Sequence, residues 1–378
     1  MRARFKTTVV IGVFLALALA VTGVAAAAAA KQAPAVAKQA KKHKKVKAGP
    51  LPPDFFGVNP NFAPTASDAQ HMAQAGVRSV RLFSYWGLLE PQPGQYNWSL
   101  ADSVIQNTAQ AGLTPAVQFA DSPGWVAPNN PSSPPIYSGA QITAWQQFLS
   151  NFVHRYGAHG SFWAAHPNLP YHPVTSYEIW NEPNLKLFWG GTPNPRDYLR
   201  LLNISTPVIK GADPSAQVIF GGLFPFPRPQ YGVKALKFLN KFFRYKGAKK
   251  SFDALSLHPY SYWPKLLVPT LRLFRKNLNA HHAGKKPIWI TELGWATSGH
   301  DWAISPFRAT EAQQAQYLTQ SFDKLIKARG AMRLQRIFWQ CWQDHPDPDS
   351  NWFLEMGLLR ANGSPKPAYS AYQAEAQR

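Results

Sequence analysis

From Phe55 onward, short apolar runs rich in β-branched and aromatic residues alternate with stretches whose apolar residues recur at helical spacing. The runs predict strands at Phe55–Val58, Val77–Phe83, Thr114–Phe119, Thr175–Trp180, Gln217–Leu223, Ala254–His258, Pro287–Thr291 and Gln335–Cys341. Between them the spacing predicts helices at Ser67–Ala75, Leu100–Ala111, Gln141–Tyr156, Arg196–Lys210, Val233–Phe243 and Thr310–Ala328. Several strands are apolar at nearly every position, as strands buried on both faces must be. Eight strands alternating with helices predict an α/β fold, a single (β/α)8 TIM barrel over residues 51–378. A doubly wound sheet would need a glycine-rich phosphate turn after an early strand. The turn Gly57-Val58-Asn59-Pro60-Asn61 does not supply one.

Two predicted strands deliver a glutamate to their carboxyl ends, the rim on which barrel active sites are built. One is Ser176-Tyr177-Glu178-Ile179-Trp180-Asn181-Glu182-Pro183, where the proline stops the strand. The other is Pro287-Ile288-Trp289-Ile290-Thr291-Glu292-Leu293-Gly294. Glu182 and Glu292 can therefore face each other across the barrel mouth. Such a pair suits cleavage of a glycosidic bond, which needs one carboxylic acid for the leaving oxygen and one carboxylate for the anomeric carbon. Glu178 shares the parity of Glu182 four residues deeper and reads as a buried, paired structural group. Glu90 reads as structural or as part of a subsite. Trp125, Trp189 and Trp295 near the rim suggest an oligosaccharide cleft.

Asn181-Glu182-Pro183 after one strand and Thr291-Glu292 after another resemble the clan A glycoside hydrolases, most of all the cellulase-like family 5 and family 39, over Phe55 to Tyr372. The resemblance implies Glu182 as acid/base and Glu292 as nucleophile of a retaining enzyme that needs no metal or organic cofactor. It further implies substrate-binding or positioning roles for Arg81 on strand two, for Asn181 against a sugar 2-hydroxyl, and for His258 and Tyr260 in His258-Pro259-Tyr260. On strand eight it implies a tryptophan platform under the sugar, for which Trp339 and Trp342 both stand as candidates. Family 5 members usually carry a histidine on strand three; Ala116-Val117-Gln118-Phe119-Ala120-Asp121 has none, leaving Gln118 or Asp121 to fill that space. A catalytically inactive barrel that binds wall carbohydrate and a transglycosylase are the alternative readings.

Charge changes the picture mainly at the N-terminus. The chain carries +21 overall, and residues 1–50 hold ten Lys/Arg and no acid, so they account for +10 of it. Arg2, Arg4 and Lys6, an apolar stretch from Val9 to Val24 and the alanine run Ala25–Ala30 read as a signal peptide over residues 1–30, cleaved or left as an anchor. Residues 31–50 read as a disordered, lysine-rich linker suited to an anionic cell-surface polymer. The expected location is therefore secreted or attached to the cell surface by bacterial-type Sec export, with membrane contact only if the signal stays uncleaved. No zinc-finger, RRM or KH signature suggests a nucleic-acid partner, so the expected partner is an oligo- or polysaccharide substrate. The single cysteine, Cys341, lies in an apolar run and reads as a buried, inert thiol.

Overall fold

The computed structural model describes residues 49–347 and 350–378. The expected signal peptide lies outside the described residues, as does the expected linker apart from Gly49 and Pro50. The carbonyls of those two residues accept hydrogen bonds from Arg329.

Eight parallel strands close in sequence order, with β8 pairing back onto β1. They are β1 Phe56–Asn59, β2 Ser79–Tyr85, β3 Thr114–Ala120, β4 Ser176–Ile179, β5 Gln217–Leu223, β6 Ala254–Leu257, β7 Ile288–Ile290 and β8 Leu334–Gln340. One main helix follows each strand: α1 Ala66–Gln74, α2 Ser99–Gln110, α3 Gly139–Tyr156, α4 Pro195–Ala212, α5 Ala235–Phe242, α6 Leu267–Ala280, α7 Glu311–Met332 and α8 Pro367–Ala376. Capping boxes at Thr65–Asp68, Ser138–Gln141 and Thr310–Gln313 fix where α1, α3 and α7 begin, each satisfying backbone donors that a helix leaves unpaired. Neither α6 nor α8 is among the six helices that the spacing predicts. Pro269 falls in the first turn of α6, where the missing N–H breaks no helical bond, so it does not end the helix.

Period-two alternation divides the strand residues between two environments. Outward residues pack on the helices in one large core, in which Phe119, Phe148, Phe152 and Tyr177 interlock. Inward residues fill the barrel. Ala116, Ile219, Ala254, Trp289 and Phe338 form an apolar plug low in it. Gly57 leaves room for that plug, because a Cβ there would meet the Phe338 ring at 2.5 Å. Above the plug the inward positions turn polar: Asn59, Arg81, Gln118, Glu178, Ser256, Thr291 and Gln340 are all buried. That change of character marks the end of the barrel where a site is built.

Candidate active site

Glu178 and Arg81 form the base of the polar layer. Arg81 Nε donates to Glu178 Oε2 at 2.6 Å, and both side chains are almost fully buried. The other oxygen of Glu178 accepts from the Gly222 amide at 2.7 Å. Burial opposes the charge on Arg81, yet the adjacent carboxylates of Glu178 and Glu292 hold its pKa above the usual arginine value. Glu178 is thus the paired structural carboxylate its parity indicated.

Above this layer the ends of β4, β6 and β7 bring three groups together. One oxygen each of Glu182 and Glu292 and a ring nitrogen of His258 all lie within 4.8 Å of one another. His258 Nδ1 is 2.7 Å from Glu182 Oε1 and 3.3 Å from Glu292 Oε2, and its Nε2 is 3.0 Å from Thr291 Oγ1. Burial, reinforced by the Arg81 charge, pushes the His258 pKa well below the usual value, which favours the neutral imidazole. Its ring fits only because Gly222 has no side chain: a Cβ there would come within 1.9 Å of Nε2.

The two glutamates differ in their company. Glu292 accepts from Arg81 Nη1 at Oε1 and from the Tyr260 hydroxyl at Oε2, both at 2.9 Å. Burial raises its pKa, but Arg81 and the Tyr260 hydrogen bond pull against that rise. Among the described residues no arginine bonds Glu182; burial first, then the Glu292 charge, raises it well above the usual carboxyl value against a weaker pull from the Arg81 charge. The site therefore favours a proton on Glu182 over one on Glu292.

The β4 end reaches this geometry through strained backbone. Trp180 and Glu182 adopt φ of 69° and 38°, a left-handed region that costs side-chain-bearing residues on the order of 1–3 kcal/mol each. Asn181 Oδ1 accepts from Gln118 Nε2 at 2.8 Å and from Arg81 Nη2 at 3.4 Å. Both contacts use the oxygen, so the amide NH2 is left as the group a substrate oxygen could meet. Gln118 occupies the strand-three space considered for it and orients Asn181. Asp121 stands higher on the rim, its pKa raised to about 6 by burial against a hydrogen bond from Ser132.

Strand eight corrects the sequence reading. Trp339 and Trp342 are both fully buried. Trp339 has outward parity and packs on Phe322 of α7 and on Trp295, donating its indole N–H to the Met356 carbonyl at 3.0 Å. Trp342 packs against Tyr369 of α8. The inward residue at this level is Gln340, which accepts from Asn59 Nδ2 at 2.7 Å. Trp189 and Trp295 are also core residues, not cleft walls. Trp125 is half-buried, with its indole bonded to the Glu90 carbonyl. Glu90 itself ties Trp86 to the Gly94 turn, a structural task.

Two aromatic walls were missed. Phe83 and Tyr85 alternate inward above Arg81, with the guanidinium 4.9 Å from the Phe83 ring centre. Phe224, Phe307 and Phe353 surround Tyr260. Parity with Arg81 was the signal for the first pair. The second comes from separate loops and left no local mark in the sequence.

Comparison with known proteins adds an independent line. The beta-galactosidase family of glycoside hydrolases matches residues 60–140, and the glycosyl hydrolase catalytic core family matches residues 216–372. Two separate parts of the chain are thus each similar to glycoside hydrolases. A beta-xylosidase of Geobacillus stearothermophilus is 25% identical over 134 residues, covering 32% of this chain and 24% of that protein. A beta-galactosidase of Thermus thermophilus is 36% identical over 72 residues, 18% of this chain and 11% of its own. The match thus spans about a quarter or less of these relatives' length. Among solved structures, a family 39 glycoside hydrolase from Bacteroides cellulosilyticus superposes with a TM-score of 0.65 at 24% identity, over 86% of this chain and 64% of that one. A monomeric beta-xylosidase from Caulobacter crescentus gives 0.62 at 19%, over 86% and 68%. These likenesses carry the fold.

Proposed function

We propose that the protein is a retaining glycoside hydrolase in which Glu292 is the nucleophile and Glu182 the acid/base. The observation that carries this reading is the approach of the two buried carboxylates within 4.8 Å, oxygen to oxygen. Retaining enzymes keep the two groups about 5–5.5 Å apart, whereas inverting enzymes leave about 6.5–9.5 Å for a water. The unequal proton affinities support the division of roles.

Glu182, protonated, gives its proton to the leaving oxygen while Glu292 attacks the anomeric carbon and forms a glycosyl ester. Glu182, now ionised, takes a proton from water as that water displaces Glu292, and the sugar leaves with its original configuration. Arg81 and Tyr260 hold the Glu292 carboxylate towards the anomeric carbon, and the Asn181 amide donates to the 2-hydroxyl. The beta-xylosidase, beta-galactosidase and exo-beta-1,4-mannosidase names of similar proteins favour a β-glycoside as substrate. The first fifty residues add export and a basic tether to this reading, which N-terminal sequencing of protein recovered outside the cell would test.

The deciding experiment is a panel of aryl β-xylosides, β-galactosides and β-mannosides, with the anomer first released followed by NMR. Hydrolysis with retention is the expected result. Inversion would overturn the roles given to the two glutamates, and inertness across aryl glycosides and wall polysaccharides would favour a binding protein.

A further inference from the structure

We propose that the surface formed by α5, the turn after it and α6 is a docking face for a linear phosphate polyanion of the polyol-phosphate kind. The charge distribution carries the idea. From residue 51 onward, thirty basic and nineteen acidic residues leave the chain at +11. Between Lys234 and Lys286 there are thirteen Lys/Arg and one acid, Asp253. Those 53 residues hold +12, so the other residues from 51 onward sum to −1. A generally basic solubilising surface would spread its charge; this one is concentrated in consecutive elements.

The elements also present that charge together. Eleven of the thirteen basic side chains are exposed, and among the described residues none of the eleven is ion-paired. Lys234, Lys237, Lys241 and Arg244 recur at helical spacing along the outer side of α5, and Arg272 and Lys276 do so along α6. Asn240 joins the two helices, accepting from Asn277 at 2.7 Å and lying 2.9 Å from His281 Nε2. The Phe243 ring stacks on His281 at 4.8 Å, closing the seam.

The face extends away from the mouth, with Lys234 and Lys265 at its near edge and the rest of its charge beyond them. Barrel helices run antiparallel to their strands, so the C-terminal ends of α5 and α6 lie where the strands begin, opposite Glu182 and Glu292. Arg329, near the end of α7, holds Gly49 and Pro50 at that same end, and the preceding residues add +10 of sequence charge. A polyanion bound there would leave the site open.

The surface chemistry selects the occupant. A bilayer would be gripped by apolar anchors as well as charge, and single-stranded nucleic acid by aromatic platforms. Among the described residues of α5, its following turn and α6, no large apolar side chain is exposed; the exposed rings of Tyr231 and Trp263 belong to the segments that precede α5 and α6 at the mouth end. Lysines without such anchors suit a flexible chain carrying phosphates and no bases.

The test titrates the full chain against deacylated polyglycerol phosphate at several salt concentrations, beside anionic phospholipid vesicles and single-stranded DNA. Counterion release gives a log–log salt slope of about −0.7 to −0.9 per contact. The variant K237E/K241E/K249E/K276E should weaken binding to the polymer more than tenfold and flatten the slope by about 3. Its activity on a soluble aryl glycoside should be unchanged, which also reports correct folding. The corresponding glutamine variant should show a smaller loss in the same direction. Wild-type affinity in both variants would overturn the proposal and leave any binding to residues 1–50. It would equally be overturned if the unaltered chain failed to bind the polymer, or if vesicles or DNA bound more tightly and with the same sensitivity to the substitutions.

Discussion

Arg81 Nη1 donates to Glu292 Oε1 at 2.9 Å, while the same guanidinium is held from below by Glu178 at 2.6 Å. All three side chains are buried, so the cation offsets two carboxylates that water does not reach. Arg81→Met would leave both uncompensated. The expected cost is about 3–5 kcal/mol of stability, seen as a lower denaturation midpoint. Arg81 lowers the pKa of Glu292, so the acidic limb of kcat/KM should move to higher pH in whatever folded Arg81→Met can be recovered. An unchanged acidic limb would mean that Glu292 is not the ionising nucleophile.

The raised pKa of Glu182 has a kinetic and a thermodynamic consequence. The basic limb of kcat/KM should report loss of its proton, and Glu182→Gln should abolish that limb together with most activity. For stability, the folded value lies above the unfolded value of about 4.3. At lower pH both states carry the proton. As pH rises the unfolded chain ionises first, so the folded state loses stability until its own value is passed. The melting-temperature difference between Glu182→Gln and the unaltered protein should therefore shift in favour of the variant from pH 4 to 7. A pH-independent difference would contradict the raised value.

Gly222 sets the position of His258 by what it lacks. A Cβ 1.9 Å from Nε2 cannot coexist with the imidazole in its present place. Gly222→Ala should push the ring away from Glu182 and Thr291, with at least the roughly 1–3 kcal/mol typical of overpacking and a fall in kcat. Gly211→Ala is the control. Nothing lies within 4 Å of its added methyl in α4, and it should stabilise by about 0.5–1 kcal/mol. Equal thermal stability of the two variants would refute the steric account.

The barrel was legible because buried parallel strands write themselves as apolar runs, and Gln217–Leu223 matches its predicted bounds residue for residue. Glu182 and Glu292 were legible because each ends an apolar strand at the rim, and Arg81 because a charge within such a strand needs a partner; Tyr260 was legible only through the family resemblance of His258-Pro259-Tyr260. Trp339 and Trp342 were not. Residues on opposite sides of one strand look alike until the register is known, and β8 turns Phe338 and Gln340 inward and Trp339 outward. The walls around Tyr260 were hidden for another reason: Phe224, Phe307 and Phe353 meet only in three dimensions.

Separating the two glutamates by role gives the sharpest chemical prediction. Glu292→Ala removes the nucleophile, so turnover should fall by several orders of magnitude on every substrate. Azide could occupy the vacated space and yield a glycosyl azide of inverted configuration. Glu182→Ala removes the proton donor, which a dinitrophenolate leaving group does not require, so glycosylation should survive on that substrate. Deglycosylation should then slow, because no base activates water. Azide needs no such base and should restore turnover with retained configuration. The contrast follows from the site itself, where Arg81 and Tyr260 address Glu292 and His258 stands against Glu182. If both variants responded alike to leaving group and azide, the pair would not be an acid/base and a nucleophile, and full activity in either would move the chemistry elsewhere in the barrel.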